Sequence, residues 1–318
     1  MNKKNSTKLE NHPLVSVGIP TFYRPEGLKR TIESITSQTY TNLEILISDD
    51  CSPVPKTEAV VKDFQKQDKR IQYYRQTENI GPTNNFRFVL DKAHGVYFMW
   101  AADDDWFDKN YIECCLLFLL KNPDYVLAGG KLKYFDNLIE VNHKFLSMNL
   151  QKNGCVGRVL EYYRILPSTN CSIFYGLMKS EPIKRIIIRN ILGFDWIIVA
   201  SLAFMGKIKT IDDTIMNRSI YGSSKDKKSL VESFRLPKIF ILFFWYSVAY
   251  NVFRDILWRS NIYKKINIVT RSILATKCYL IMFKNYIFPY MFVVIFLRKI
   301  KHSLSFLIKK IIRKLKFL

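Results

Sequence analysis

From Leu14 to about Gly130 short apolar runs alternate with amphipathic stretches, and this alternation constrains the fold more than any other feature of the chain. Leu14–Ile19, Leu43–Ser48, Ile71–Arg75, Tyr97–Ala101 and Tyr125–Ala128 are rich in Val, Ile, Leu and Tyr and read as strands. Between them Glu26–Gln38 places Leu28, Ile32 and Ile35 at helical spacing, and Thr57–Gln67, Thr83–Ala93 and Lys109–Leu120 read likewise as helices. Strand and helix in strict alternation predict an α/β fold, a Rossmann-like, mostly parallel sheet with helices on both faces. Ligands of such sheets gather at the carboxyl ends of the strands, so the residues just after each apolar run are the ones to inspect.

Those residues are polar and acidic. The first strand ends in Pro20-Thr21-Phe22-Tyr23-Arg24, the second in Asp49-Asp50-Cys51-Ser52, and the fourth in Asp103-Asp104-Asp105. Three consecutive aspartates repel one another unless a cation offsets them. Hard divalent ions such as Mg²⁺ or Mn²⁺ bind carboxylate oxygens and bridge them to substrate phosphates. Carboxylates from two strand ends would converge on one crevice. Without a ligand, the same run is a solvated acidic turn with Asp108 capping the next helix, and Asp49-Asp50 is an Asx-type turn.

Several motifs in order resemble the family 2 glycosyltransferases, which have the GT-A fold. Val15–Ser52 resembles the family's opening strand-helix-strand unit, and Glu78-Asn79-Ile80-Gly81 its Asn-x-Gly segment. His94–Asp105 is similar to the strand leading into its metal motif. Gly193-Phe194-Asp195-Trp196, followed by Gly206-Lys207-Ile208, resembles the segment carrying its catalytic base. The likeness runs from about Leu14 to Ser224.

The resemblance implies that Pro20, Thr21, Tyr23 and Arg24 border the nucleotide and that Asp50 contacts base or ribose, with Asp49 beside it. Asn79 and Asn84 belong to the same nucleotide-sugar site. Asp103 would approach the ribose or metal and Asp104 would be the main ligand of Mn²⁺ or Mg²⁺; the run of three leaves Asp105 open to a shift of register. Asp195 would be the general base, its bland alternative being a helix cap. Two departures stand out. Asn84-Asn85 replaces the family's Arg-Asn pair, with Arg87 one helical turn on from Asn84. Arg218-Ser219-Ile220 lacks the histidine of the family's Arg-x-His, leaving Arg218 or Lys225 to compensate. The implied reaction is inverting transfer of a hexosyl or related group from a nucleoside-diphosphate sugar, with UDP favoured, to an acceptor hydroxyl.

The far end of the chain is different. Arg235–Leu318 holds 17 Lys and Arg against the single acid Asp255, and so carries most of the net charge of +22. We therefore divide the chain into a polar tail (1–12), a GT-A domain (13–230) and a basic, mostly helical, membrane-associating extension (231–318). Ile239–Phe253 is short for a membrane span, and Tyr279–Leu297 is interrupted by Lys284, Asn285 and Pro289. In the last segment Leu304, Leu307, Ile308, Ile311, Ile312 and Leu315 share one helical face, with cations elsewhere, as in a helix lying on anionic lipid. A position on the cytoplasmic face of the plasma membrane, peripheral or monotopic, and a polyprenyl-linked saccharide acceptor follow as expectations.

The six cysteines show no CxxC pair and the four histidines no zinc-binding spacing. A basic tail also suits nucleic acid, but no RRM, KH, zinc-finger or helix-turn-helix signature accompanies it, and no nucleic-acid partner is expected. A sugar nucleotidyltransferase needs a Gly-rich loop after the first strand, which Pro20–Gly27 does not provide.

Overall fold

The computed structural model describes residues 12–136, 138–141, 146–169, 172–220 and 226–289. Four parallel strands form the first half of the sheet: β1 (Val15–Thr21), β2 (Leu43–Asp49), β3 (Ile71–Arg75) and β4 (Tyr97–Trp100). The second half holds β5 (Asp105–Phe107), β6 (Tyr125–Asp136), β7 (Ile139–Val141), β8 (Asn149–Leu150), β9 (Leu177–Lys179) and β10 (Lys207–Ser219). The order is β3-β2-β1-β4-β9-β6-β10-β5, with β9 and β5 antiparallel to their neighbours. The chain runs β1, β2, β3 outward and then returns to place β4 on the other side of β1. The gap between the carboxyl ends of β1 and β4 is therefore the switch point at which an open α/β sheet presents its crevice.

Every residue of β1 and β2 is buried, as a strand covered on both faces requires. One core, built on Val15, Val17 and Ile19, takes α1 (Pro25–Thr36), α2 (Pro55–Gln67) and α4 (Tyr111–Lys121). The opposite face packs α3 (Pro82–Asp91), α5 (Cys155–Thr169) and α7 (Phe194–Met205) around Phe98 and Trp100; α6 (Ser180–Lys184) follows β9. The helices α1, α2 and α3 start at Pro25, Pro55 and Pro82, one or two residues before the pattern of apolar positions begins. Proline fits the first turn because its missing N–H has no partner there in any case.

β6 continues eight residues beyond the run legible in the sequence. Gly129-Gly130 reads as a break, but a Cβ on Gly130 would stand 2.5 Å from the Thr214 carbonyl, so glycine here admits the neighbouring strand β10. The chain then forms α8 (Lys227–Ser233), α9 (Ile239–Leu242), α10 (Phe244–Arg254) and α11 (Ile268–Met282). Val248, Ala249, Val252, Leu274, Cys278, Met282 and Ile287 of this stretch join the same apolar core as Trp100 and Phe174. Among the described residues no helix is long and apolar enough to cross a membrane. Residues 299–318, expected to lie on lipid, are outside the described residues, as is Lys225.

Candidate active site

The switch point opens into a cavity of ≈ 840 Å³, within the usual range for small-ligand sites. Pro20, Thr21, Tyr23, Arg24, Asp50, Asn79, Asp103 and Asp195 line it, so most residues singled out from the sequence meet in one place. The carboxylate of Asp103 draws the ends of β1 and β4 together. Its Oδ2 accepts from the Thr21 hydroxyl at 2.8 Å and from the Phe22 amide at 3.3 Å. Arg24 then spans the next pair, 3.6 Å from Asp103 Oδ1 and 2.5 Å from Asp104 Oδ2. Burial raises the Asp103 pKa and the neighbouring Asp104 adds to the shift, against the opposing pull of Arg24. A further cation at this point would favour the ionised form.

Tyr23 (φ 59°) and Cys51 (φ 60°) adopt left-handed backbone immediately after β1 and β2, a conformation rarely held by side chains of this size. The Tyr23 amide is tied to Ser52 Oγ at 2.9 Å, which fixes one strained loop against the other. Such strain persists where surrounding contacts over-determine it, commonly beside ligand sites.

Three of the sequence expectations are corrected. Asp49 does not face the cavity: it is 1% exposed, its Oδ1 accepts from the Ser52 amide at 2.8 Å, and its Oδ2 from the Tyr73 hydroxyl at 2.9 Å. It holds the turn, and Asp50 lines the site. Asp50 in turn accepts from the amides of Ile80 (2.6 Å) and Gly81 (3.0 Å), and burial raises its pKa despite those bonds. Asn84 points outward to the Ile80 carbonyl, 2.8 Å away. Its neighbour Asn85 is the one at the cavity, donating to Ser48 O at 2.9 Å with Oδ1 left unpartnered. The register is shifted by one because α3 begins at Pro82 and turns Asn85 toward β1 and β2. Asp105 sits in β5, fully buried, with Arg218 at 3.9 Å and neither oxygen hydrogen-bonded. It makes its ion pair with Arg218 and not with Arg24, although Asp104 and Asp103 are near enough to help raise its pKa.

Among the described residues, no three carboxylate, imidazole or thiol groups converge closely enough to enclose an ion unaided. Mg²⁺ and Mn²⁺ sites that serve phosphoryl groups need fewer: one or two carboxylates, with substrate oxygens and water completing the shell. Asp103 and Asp104, already sharing a cation in Arg24, fit that requirement.

Elsewhere in the cavity lining, Gly193 (φ 78°) turns the chain into α7, and Asp195 occupies the first turn. Burial raises its pKa to about 6, opposed by the Trp196 and Asp195 amides and by Arg218. A carboxylate raised in this way holds its proton to higher pH than a solvated one does. Arg218, from β10, lines the same wall with its guanidinium 5.4 Å from the Tyr175 ring centroid.

A second wall was missed by sequence reasoning. Phe234, Arg235, Phe244, Trp245 and Val248 line the cavity from the C-terminal region. Arg235 (φ 53°) reaches back to Asn79, donating to its carbonyl and, at 2.9 Å, to its Oδ1. In the sequence these residues fall in the stretch 231–318 that reads as a membrane-associating extension.

Residues 16–178 match the model of glycosyl transferase family 2, and the chain belongs to that family. An uncharacterized glycosyltransferase of Haemophilus influenzae is 26% identical over 80% of this chain and 89% of its own length. The GalNAc(5)-diNAcBac-PP-undecaprenol beta-1,3-glucosyltransferase of Campylobacter jejuni is 42% identical over 29% of this chain and 30% of its own. The crystal structure of S. aureus TarS 1-349 superposes with a TM-score of 0.61 at 15% identity, covering 86% of this chain and 72% of that one; it has also been solved with UDP and with UDP-GlcNAc. The fold is that of the GT-A glycosyltransferases, and the protein is a glycosyltransferase.

Proposed function

We propose that the chain transfers a sugar from a nucleoside-diphosphate sugar, UDP-linked in preference, to a hydroxyl of a lipid-linked saccharide, in one inverting displacement. The observation that carries this reading is that Asp103, at the switch point, and Asp195, at the start of α7, line a single cavity. Pro20, Thr21 and Tyr23 border the nucleotide, with Asp50, Asn79 and Asn85 at its other edge. Asp103 and Asp104 hold Mn²⁺ or Mg²⁺, and the bound ion supplies charge neutralisation for the diphosphate leaving group. Arg24 leaves the two carboxylates as the donor arrives and pairs with its phosphates, a role for which a guanidinium is suited.

Asp195 takes the proton from the acceptor hydroxyl while that oxygen attacks the anomeric carbon. The C1–O bond to the diphosphate breaks on the opposite face, which inverts the configuration. Arg218 stands beside Asp105 and helps to balance negative charge on that side. The Campylobacter relative named for an undecaprenol-linked acceptor supports a lipid-linked substrate here. So does α9, whose Ile239 and Leu242, with the following Phe243, are about half exposed next to cavity residues Phe244 and Trp245. An apolar edge at the cavity rim, together with the basic tail, suits work at the surface of an anionic membrane.

The test is a panel of UDP-, GDP- and dTDP-sugars assayed for Mn²⁺-dependent nucleoside diphosphate release, with and without lipid-linked saccharides. Release that requires the ion and increases with acceptor is expected. Silence across the panel, or release indifferent to Asp195→Asn, refutes the assignment.

A further inference from the structure

The carboxylate pair that follows β4 already holds a cation of the chain's own. Asp103 Oδ2 is taken up by the Thr21 hydroxyl and the Phe22 amide, which leaves Oδ1 to the guanidinium of Arg24. One nitrogen of that guanidinium, Nη1, serves both aspartates, 3.6 Å from Asp103 Oδ1 and 2.5 Å from Asp104 Oδ2. These are oxygens that a divalent ion shared by Asp103 and Asp104 would draw on. Arg30, the second cation nearby, does not contest them. It donates to the Asp104 backbone carbonyl at 3.2 Å and lies 4.1 Å from the Trp106 ring centroid.

The two aspartates are what keeps Arg24 in this place. It is the residue before α1, whose first turn begins at Pro25, and a helix N-terminus disfavours a cation. Among the described residues its guanidinium makes no hydrogen bond except to Asp104, and its side chain is 31% exposed. The backbone on either side is fixed, by the Tyr23 amide on Ser52 Oγ and by Pro25. Only the side chain is free to swing.

We propose that Arg24 is a resident counter-cation. It closes the carboxylate pair to a divalent ion while nucleotide is absent and releases it when a nucleoside diphosphate arrives, so that ion and nucleotide bind as a coupled pair. The inference rests on the glycosyl-transfer reading and adds to it how the site fills. An ion entering alone meets a like charge on the same oxygens and has to break an ion pair whose guanidinium gains no new partner. A diphosphate offers that guanidinium the forked pairing it favours, and removes the competitor as it brings its own oxygens to the ion. Linkage makes the effect reciprocal: the factor by which the nucleotide raises the affinity for the ion is the factor by which the ion raises that for the nucleotide.

The experiment uses the full chain and needs no acceptor. It is run at about pH 8, so that protons do not stand in for the missing guanidinium. Binding of Mn²⁺ is followed through the electron paramagnetic resonance signal of the free ion, with and without UDP or GDP. The unaltered protein should bind Mn²⁺ weakly alone and more tightly with one of the nucleotides. Arg24→Met and Arg24→Gln should each bind Mn²⁺ alone about fivefold more tightly. Both should bind the nucleotide more weakly and show a smaller effect of nucleotide on the ion. Arg24→Lys, which keeps the charge, should stay close to the unaltered protein. Arg87→Met removes a cation that pairs with Asp91 outside the cavity lining and should change neither affinity. Adding Asp104→Asn to Arg24→Met should abolish the gain. An Mn²⁺ affinity unchanged or lowered in both Arg24→Met and Arg24→Gln overturns the counter-cation alone, as does a gain that survives Asp104→Asn. Failure of the unaltered protein to bind Mn²⁺ with either nucleotide removes the metal-assisted reading with it.

Discussion

Asp195→Asn should stabilise the protein at neutral pH while abolishing transfer. The carboxyl group's pKa rises from 3.8 to about 6, chiefly through burial. A group whose folded-state pKa is raised binds its proton more tightly in the folded chain. Its contribution is therefore fully present below about pH 4 and is lost as the pH climbs through 6. At 1.36 kcal/mol per pKa unit, keeping Asp195 ionised costs the fold at most about 3 kcal/mol at pH 7.5. Because the residue borders a cavity that admits water, we discount this to about 1–2 kcal/mol. Asparagine is close in shape and its Oδ1 can keep the Trp196 amide bond that the carboxylate now accepts. Urea unfolding at pH 7.5 and pH 4 should show the variant more stable by that amount at the higher pH and matched at the lower. Transfer should fall at least a hundredfold. In the unaltered protein the acceptor-dependent rate should lose about tenfold per pH unit below 6. A variant no more stable at pH 7.5, or one whose gain is the same at both pH values, would mean an ordinary solvated carboxylate, and the argument for Asp195 as a poised base would fail.

Asp104→Asn should remove stimulation by Mn²⁺ and at least a hundredfold of the rate, with unchanged far-UV circular dichroism, since its side chain is partly exposed and, among the described residues, is ion-paired with Arg24 alone. Gly27→Ala, ordinarily favoured inside a helix by about 1 kcal/mol, should instead destabilise by ~1–3 kcal/mol and raise the half-saturating Mn²⁺ concentration, because the new Cβ would stand 2.4 Å from the Asp103 carbonyl; calorimetry and a metal titration check both effects. Burial raises the Asp105 pKa to about 8 against the pull of Arg218 and Arg30, so Arg218→Met should cost little at pH 7 and more as the pH climbs past 8, up to about 3 kcal/mol, where Asp105 would be ionised beside one cation fewer; adding Asp105→Asn should recover most of that loss in a double-mutant cycle.

The half of the cavity at the strand ends was legible because its residues follow buried strands whose composition announces them. A run such as Val15–Ile19 can only be a covered strand, and Pro20–Arg24, Asp50 and Asp103 then fall at its crevice by topology alone. Finer placement depended on features with no linear signature. Asp49 and Asp50 are equivalent in sequence, and only the Ser52 amide and Tyr73 hydroxyl decide which of them turns inward. Asn84 and Asn85 are separated by one helical step, so the start of α3 at Pro82 decides the matter. Asp105 looked like part of an acidic turn, but pairing of Trp106 with Asn217, 111 residues later, draws it into a strand antiparallel to β10.

The C-terminal half of the cavity was hidden for a different reason. Its residues sit in helices whose apolar positions serve the core and the cavity at once, and periodicity does not separate the two. Val248 is 2% exposed and packs among core residues, yet it also lines the cavity; Trp245, three residues earlier, is open to it. The wall is held closed by local devices. Asp226 caps α8 through the Ser229 amide at 2.9 Å, and Arg235 takes a left-handed turn that brings its guanidinium back to Asn79. Asn79 belongs to the loop whose next two amides bind Asp50, so the donor wall and the C-terminal wall are joined at one short segment. A change in the C-terminal wall therefore has a direct mechanical route to the loop that holds Asp50.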